Sequence, residues 1–136
     1  NAGWWPKRLF DAMFPPDGGE AVLGVSIGFI FLDSAGNPTD INGDNYLDTA
    51  LNEIYYNNNL GDPAGTLPNV PWAIGEERPS IDVETTALHE NGHALELGHF
   101  GSPPEAVMNP RYAGIRHTLF AADKAGVNIV WQRWPQ

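Results

Sequence analysis

The sequence predicts an α+β fold: a small twisted sheet packed on a helix that carries two histidines, and on a second helix near the C-terminus. Three stretches carry that expectation. From Val22 to Leu32 bulky and small residues alternate with the period of a strand. From Asp82 to about Leu97 a capping aspartate opens a helix on which His89 and His93 stand one turn apart. From Leu119 to Trp131, the residues Leu119, Phe120, Val127, Val130 and Trp131 recur at helical spacing. No internal repeat or low-complexity linker divides the 136 residues, so one domain spanning 1–136 is expected.

Residues 1–20 are rich in Trp and punctuated by Pro, and most of them fit no regular element. Lys7 to Phe14 is the exception: two helical turns gather Leu9, Phe10, Met13 and Phe14 on one side, and Pro15 and Pro16 stop them. In the strand that follows, Val25, Ile27, Phe29 and Phe31 form a bulky face, and Gly24, Ser26, Gly28 and Ile30 a mostly small one suited to close packing. Next, Asp40, Asn42, Asp44 and Asp48 set oxygen donors at near-alternating positions, as in the first half of a calcium loop. Leu51 stands where an EF-hand requires glutamate, so two readings stay open: a polar turn, or a calcium site completed by Asn58, Asp62 and carbonyls. Asn52 to Asn57 and Val70 to Ile74 read as further strands separated by a Gly/Pro/Asn loop, although the first also fits a helix starting at Thr49. Pro71 suits an edge strand, and Glu76 to Pro79 is a polar connector.

On the helix capped by Asp82, Glu84 complements the positive end, and Val83, Thr86, Ala87, Ala94 and Leu97 supply an apolar side. His89 and His93 face a cleft with Glu90 between them. This His-Glu-x-x-His pattern is that of a zinc hydrolase, where two imidazoles hold the ion and the glutamate handles the proton of a zinc-activated water. His99 lies six residues beyond His93, and on a continuous helix its ring would swing away. The helix must therefore stop first, and Gly98 most easily permits the reversal. Three neutral imidazoles leave zinc one open position for chemistry. Met108 reads as a core filler, and His117 as a surface or hydrogen-bonded histidine rather than a ligand.

The net charge of -10, with only seven Lys and Arg, argues against nucleic acid as a partner and suits a protein that binds divalent cations. No apolar run reaches membrane-spanning length, so no membrane partner is expected. A chain beginning at Asn1 without a secretion signal is expected to be a processed or shortened form. With zero cysteines, thiolate ligands and disulfides are excluded within these residues.

The His-Glu-x-x-His pattern, the third His and a downstream Met together resemble the metzincin metallopeptidases. Within them A-V-M-N-P-R-Y resembles the Met-turn and specificity wall of the matrixins, the matrix metalloproteinase family. I-D-V-E-T-T-A-L ahead of His89 and L-F-A-A-D-K-A-G-V-N-I-V near the C-terminus are similar too, so the likeness covers the C-terminal half well and the segment from Val22 loosely. It implies a metzincin-like fold with a shortened N-terminal part, zinc on His89, His93 and His99, Glu90 as general base and acid, and Met108 as the floor of the site. It further implies that Leu23 and Gly24 on an edge strand, with Pro110 and Tyr112 opposite, hold an extended polypeptide, and that Asp123 supports the Met-turn. Where the family has a second acidic residue beside it, this chain has Ala122. Val25 takes the place of a histidine that holds a structural zinc in the family, so no second zinc is expected. Glu96 departs from the family glycine, and a positive φ there would strain it. The implied protein is a secreted, monomeric zinc metalloendopeptidase, with calcium as a candidate structural ion. The alternative is a matrixin-like metal-binding domain whose peptidase activity is reduced or lost through Glu96 or the shortened N-terminus. A zinc amidohydrolase with the same triad is a further reading.

Overall fold

The computed structural model describes residues 1–16, 18–43, 45–58, 71–76 and 80–132. In chain order these form β1 (Ala2–Trp5), α1 (Lys7–Met13), α2 (Gly18–Ala21), β2 (Gly24–Ile30), β3 (Thr49–Asn57), β4 (Trp72–Ala73), β5 (Ile81–Asp82), α3 (Val83–Ala94) and α4 (Ala121–Trp131). The mixed α+β character matches the expectation. Of the positions singled out in the sequence, Asp44, Asp62, Val70 and Pro79 lie outside the described residues, as does the side chain of Trp131.

Among the described residues the main sheet has the order β1-β3-β2, which leaves β2 at an edge. Strand β2 runs antiparallel to β3, pairing Gly24 with Tyr56 and Ser26 with Ile54. The helix alternative at Thr49 is therefore corrected to a strand. Alternation puts Gly24, Ser26 and Gly28 on the same face as Asn52, Ile54 and Tyr56, and that face meets α3. Small side chains on β2 let the helix approach closely, so the core forms here, with Ile54 and Tyr56 buried beside Leu97, Val107 and Met108. The bulky face is the more open one: Phe29 and Leu51 stay exposed, while Trp5 stacks on Tyr55 at a centroid distance of 3.7 Å and meets Phe10 of α1 at 6.4 Å.

The helix expected from Lys7 to Phe14 is α1, while the rest of residues 1–20, unassigned in the sequence, contributes β1 and most of α2. Strand β1 pairs parallel with β3 (Ala2 with Ile54, Trp5 with Asn57), a partnership that no local pattern signals. The elbow between α1 and α2 is held by Asp11, which accepts from Lys7 Nζ at 3.0 Å and from Gly19 N at 2.8 Å. Of the Val70–Ile74 strand, β4 is only two residues long and pairs with β5, just ahead of α3.

In the loop after β2 the acidic side chains serve the backbone. Asp40 accepts from Gly43 N at 2.9 Å and Asn45 N at 3.0 Å, and Asp48 accepts from Ile41 N at 2.9 Å. These are the contacts of a polar turn.

Helix α3 begins as expected: Asp82 is fully buried and its carboxylate accepts from Thr85 N at 2.7 Å. Of the side expected from Val83, Thr86, Ala87, Ala94 and Leu97, Thr86 and Leu97 are buried and the other three half-buried, and Thr85, Glu90 and Gly92 are buried as well, which adds polar groups to it. The helix also ends at Ala94, three residues short of Leu97. On α4, Phe120, Val127 and Val130 are half-buried, whereas Leu119 is at the edge of exposure.

The cap of α3 sets an acid-stability limit. Burial raises the Asp82 pKa, but the Thr85 hydroxyl, the Gly75 and Thr85 N–H groups and His117 outweigh it and hold the carboxyl near 2 instead of 3.8. A depressed folded-state pKa adds stability above the unfolded value and loses it as pH falls through the folded one, here by about 2 kcal/mol. Denaturant unfolding between pH 6 and pH 2 should show that loss (roughly 2 kcal/mol) below pH 4, and Asp82→Ala should remove it.

Candidate metal centre and cleft

One turn of α3 sets the His89 and His93 rings side by side, and the chain then reverses to bring His99 back. The reversal is a Schellman turn: Leu97 N donates to Gly92 O at 3.0 Å and Glu96 N to His93 O at 2.9 Å. Glu96 takes the left-handed position with φ +67°. Gly98, expected to permit the reversal, is corrected: it is not among the left-handed residues, because the Schellman turn is closed two residues earlier. Glycine is the usual occupant of the Glu96 position, and a Cβ there costs about 1 kcal/mol. Two contacts to β3 accompany it, from Thr49 Oγ1 to Glu96 Oε1 at 3.1 Å and from Asn52 Nδ2 to Ala94 O at 3.1 Å. Glu96→Gly should therefore leave the reversal in place, raise unfolding stability by up to about 1 kcal/mol and leave zinc affinity unchanged. A matched zinc titration and unfolding curve check both halves, and a large loss of affinity would show that the Glu96 side chain helps to place His99.

The three Nε2 atoms converge despite Glu96. They lie 3.1 Å apart for His93 and His89, and 3.2 Å for each of these with His99. The opposite ring nitrogens settle the tautomers: His89 Nδ1 meets Val107 O at 2.8 Å and His93 Nδ1 meets Leu97 O at 2.7 Å. A carbonyl only accepts, so both rings carry the proton on Nδ1 and turn bare Nε2 lone pairs inward. Facing lone pairs repel unless a cation or a donated proton lies between them, and a tetrahedral zinc would hold such nitrogens roughly 3.3–3.4 Å apart. The residues present fit that ion. Burial lowers the pKa of His89 against the pull of the Val107 carbonyl, with His93 and His99 adding to the lowering. Burial and His93 lower that of His99, and both shifts favour the neutral form a metal needs.

Glu90 stands behind the triad, only 5% exposed. Burial pushes its carboxyl up to about 7, opposed by the nearby Ser26 N–H, and Oε2 has no hydrogen-bond partner among the described residues. Strand β2 leaves just enough room: a Cβ on Gly24 would come within 3.1 Å of Glu90 Cγ and Oε1.

Met108 is fully buried beneath the helix, where any side chain at Gly92 would overlap its sulfur. Its turn hangs from Asp123 of α4, whose carboxylate accepts from Val107 N at 2.8 Å, Met108 N at 3.1 Å and Phe120 N at 2.9 Å. The chain of contacts runs from Asp123 through the Val107–Met108 peptide, by its N–H and its carbonyl, to the His89 ring.

Triad and glutamate open on a cavity of about 1290 Å³. Leu23 and Gly24 line one side, Pro110 and Tyr112 the other, so all four residues proposed to hold substrate meet here. Asp40, Asn42 and Asp48 do not line it. Several contributors escaped the sequence reading. Tyr112 accepts a hydrogen bond from Asp82 N at 3.0 Å through its hydroxyl, which ties the cavity wall to the cap of α3. His117 is hydrogen-bonded, as expected; its partners are Asp82 at 2.7 Å and Glu84 at 3.3 Å, brought close only by folding. Asn109, read past as part of the Met motif, donates to Phe100 O, Gly101 O and Pro104 O and ties the loop after His99 to the Met-turn. Ser26 gave no sequence signal beyond its small size.

Fold and site together define a mixed α+β protein in which a helix, a Schellman turn and a buried methionine bring three imidazoles beside a buried glutamate. The chain belongs to the matrixin family, whose model matches residues 30–132. It is 34% identical over 71 residues to human matrix metalloproteinase-25, a match that covers 48% of this chain and 12% of that protein. The chain thus spans a small part of that relative's length.

Proposed function

We propose that this chain is a zinc-dependent metalloendopeptidase that cleaves peptide bonds in an extended polypeptide. The observation that carries the reading is the convergence of the His89, His93 and His99 Nε2 atoms within 3.2 Å of one another, beside the buried Glu90. A zinc ion held there would supply Lewis acidity, acidifying water and polarising a carbonyl.

The chain's own residues do the rest. Glu90, with its pKa near 7, is poised to take a proton from water and return it to the leaving amine. Strand β2, at the sheet edge, offers backbone groups to which an extended peptide adds as a further strand beside Leu23 and Gly24. Pro110 and Tyr112 close the opposite side and receive a substrate side chain, with Tyr112 braced on the α3 cap. His89 and His93 are oriented by the Val107 and Leu97 carbonyls, so the metal's ligands need no rearrangement to bind.

Family membership supports the peptidase class and its zinc dependence, and a secreted, monomeric protein is part of the same proposal; among the described residues no helix is long and apolar enough to cross a membrane. A structural calcium at Asp40, Asn42, Asp44 and Asp48 is the less supported part of the reading, because Asp40 and Asp48 already serve backbone N–H groups. The test is metal analysis of the purified protein together with cleavage of an unfolded polypeptide, each compared with Glu90→Ala. Zinc bound at one equivalent with cleavage only in the unaltered chain is the expected result; equal cleavage by both removes the mechanism.

A further inference from the structure

Among the described residues, two buried side-chain polar atoms lack any hydrogen-bond partner, Ser26 Oγ and Glu90 Oε2. Unpartnered buried polar atoms are rare and costly, so each calls for an explanation. These two are complementary, since a hydroxyl donates and a carboxylate oxygen accepts. They also share one place. Ser26 and Glu90 both line the cavity, they sit on β2 and α3, which pack face to face, and the Ser26 backbone N–H already acts on the Glu90 carboxylate. The two atoms are not bonded to one another as they stand, so the pairing needs a turn of the Ser26 or Glu90 side chain; Gly24, two residues earlier on the same face, lies close against Glu90.

We propose that Ser26 is a positioning residue for Glu90: its hydroxyl donates to Oε2 when the carboxylate works as a base, which fixes the direction of the other oxygen. Alanine at this position would leave the strand, the triad and the cavity wall as they are and would remove only that donor. The inference rests on the peptidase reading for its kinetic consequence, but the pairing of Ser26 with Glu90 does not, and the two are tested apart.

In the zinc-loaded protein, Ser26→Ala should lower kcat about tenfold with KM and zinc affinity unchanged, the size expected for one charge-assisted hydrogen bond, and Ser26→Thr, which keeps the hydroxyl, should restore most of it. A change in KM alone, or a threonine variant as slow as the alanine one, overturns the positioning role. The second measurement needs no activity. In metal-free protein, unfolding of Ser26→Ala, Glu90→Ala and the double variant should be non-additive by at least about threefold in the unfolding constant, as for directly coupled side chains. Additive effects overturn the pairing. An unaltered chain that cleaves nothing, yet gives a non-additive cycle, would sink the peptidase reading and leave the Ser26–Glu90 pair standing.

Discussion

Replacing Glu90 by alanine is expected to lower peptide cleavage by about a thousandfold while zinc still binds as tightly as before. The loss follows from the one task assigned to the side chain, moving a proton to and from the reacting groups, which typically contributes 10²–10⁴-fold. Retention of zinc follows from the geometry: the ligand nitrogens belong to His89, His93 and His99, and the carbonyls that orient two of them belong to Val107 and Leu97, none of which Glu90 touches by hydrogen bond. A glutamate buried to 5% exposure with an unpartnered oxygen is poor for stability and good for proton transfer, a combination expected where function sets the residue. Zinc titration and cleavage of an unfolded polypeptide, run on the same preparation, give the result. A parallel loss of zinc and activity would mean that Glu90 acts on the fold of the site rather than on the proton.

Asp123→Ala should have the largest effect on stability, because one buried carboxylate serves three backbone N–H groups from two segments. Alanine leaves all three without an acceptor in a place water does not reach, and at about 1–3 kcal/mol for each unsatisfied group a total cost of roughly 3–5 kcal/mol is expected. In a domain of this size that lowers the unfolding midpoint by about 10–20 °C. Zinc affinity should fall with it, by about 10–100-fold, since the Val107–Met108 peptide, whose Met108 N–H donates to Asp123, is the one whose carbonyl orients His89. Calorimetry and a zinc titration check the two parts separately. An Asp123→Ala protein that melts normally and binds zinc normally would show that the Met-turn stands without α4.

Much of the site was legible because its signals are local. His89, Glu90 and His93 are set by helical spacing, Asp82 by its place before an apolar-polar helix pattern, and the strand β2 by alternation. Their chemistry needs no distant partner to be read. The fold around them was less legible. Strand β1 is four residues whose extended form depends on pairing with β3 some fifty residues away, and nothing in Ala2–Trp5 announces that. Part of the buried side of α3 went unread because it is made of Thr85, Glu90 and Gly92, which hydropathy does not place inside. A polar residue becomes a core residue only when another segment supplies its hydrogen bonds, as Asp82 does for Thr85.

The turn to His99 lies between these cases. Sequence demanded that the helix stop and marked Glu96 as the misfit; the Schellman hydrogen bonds decided that Glu96 itself, not Gly98, takes the left-handed position. Sequence by itself therefore determined which residues are the candidate metal ligands and which the candidate proton carrier, because spacing on a helix fixes direction over a single turn. Only the tertiary structure decided that three Nε2 atoms meet, that Glu90 is buried, that Asp123 holds the floor and that the Ser26 N–H lies near the carboxylate. Those depend on segments far apart in the chain closing on one another, and burial and hydrogen-bond partnership exist only once they have.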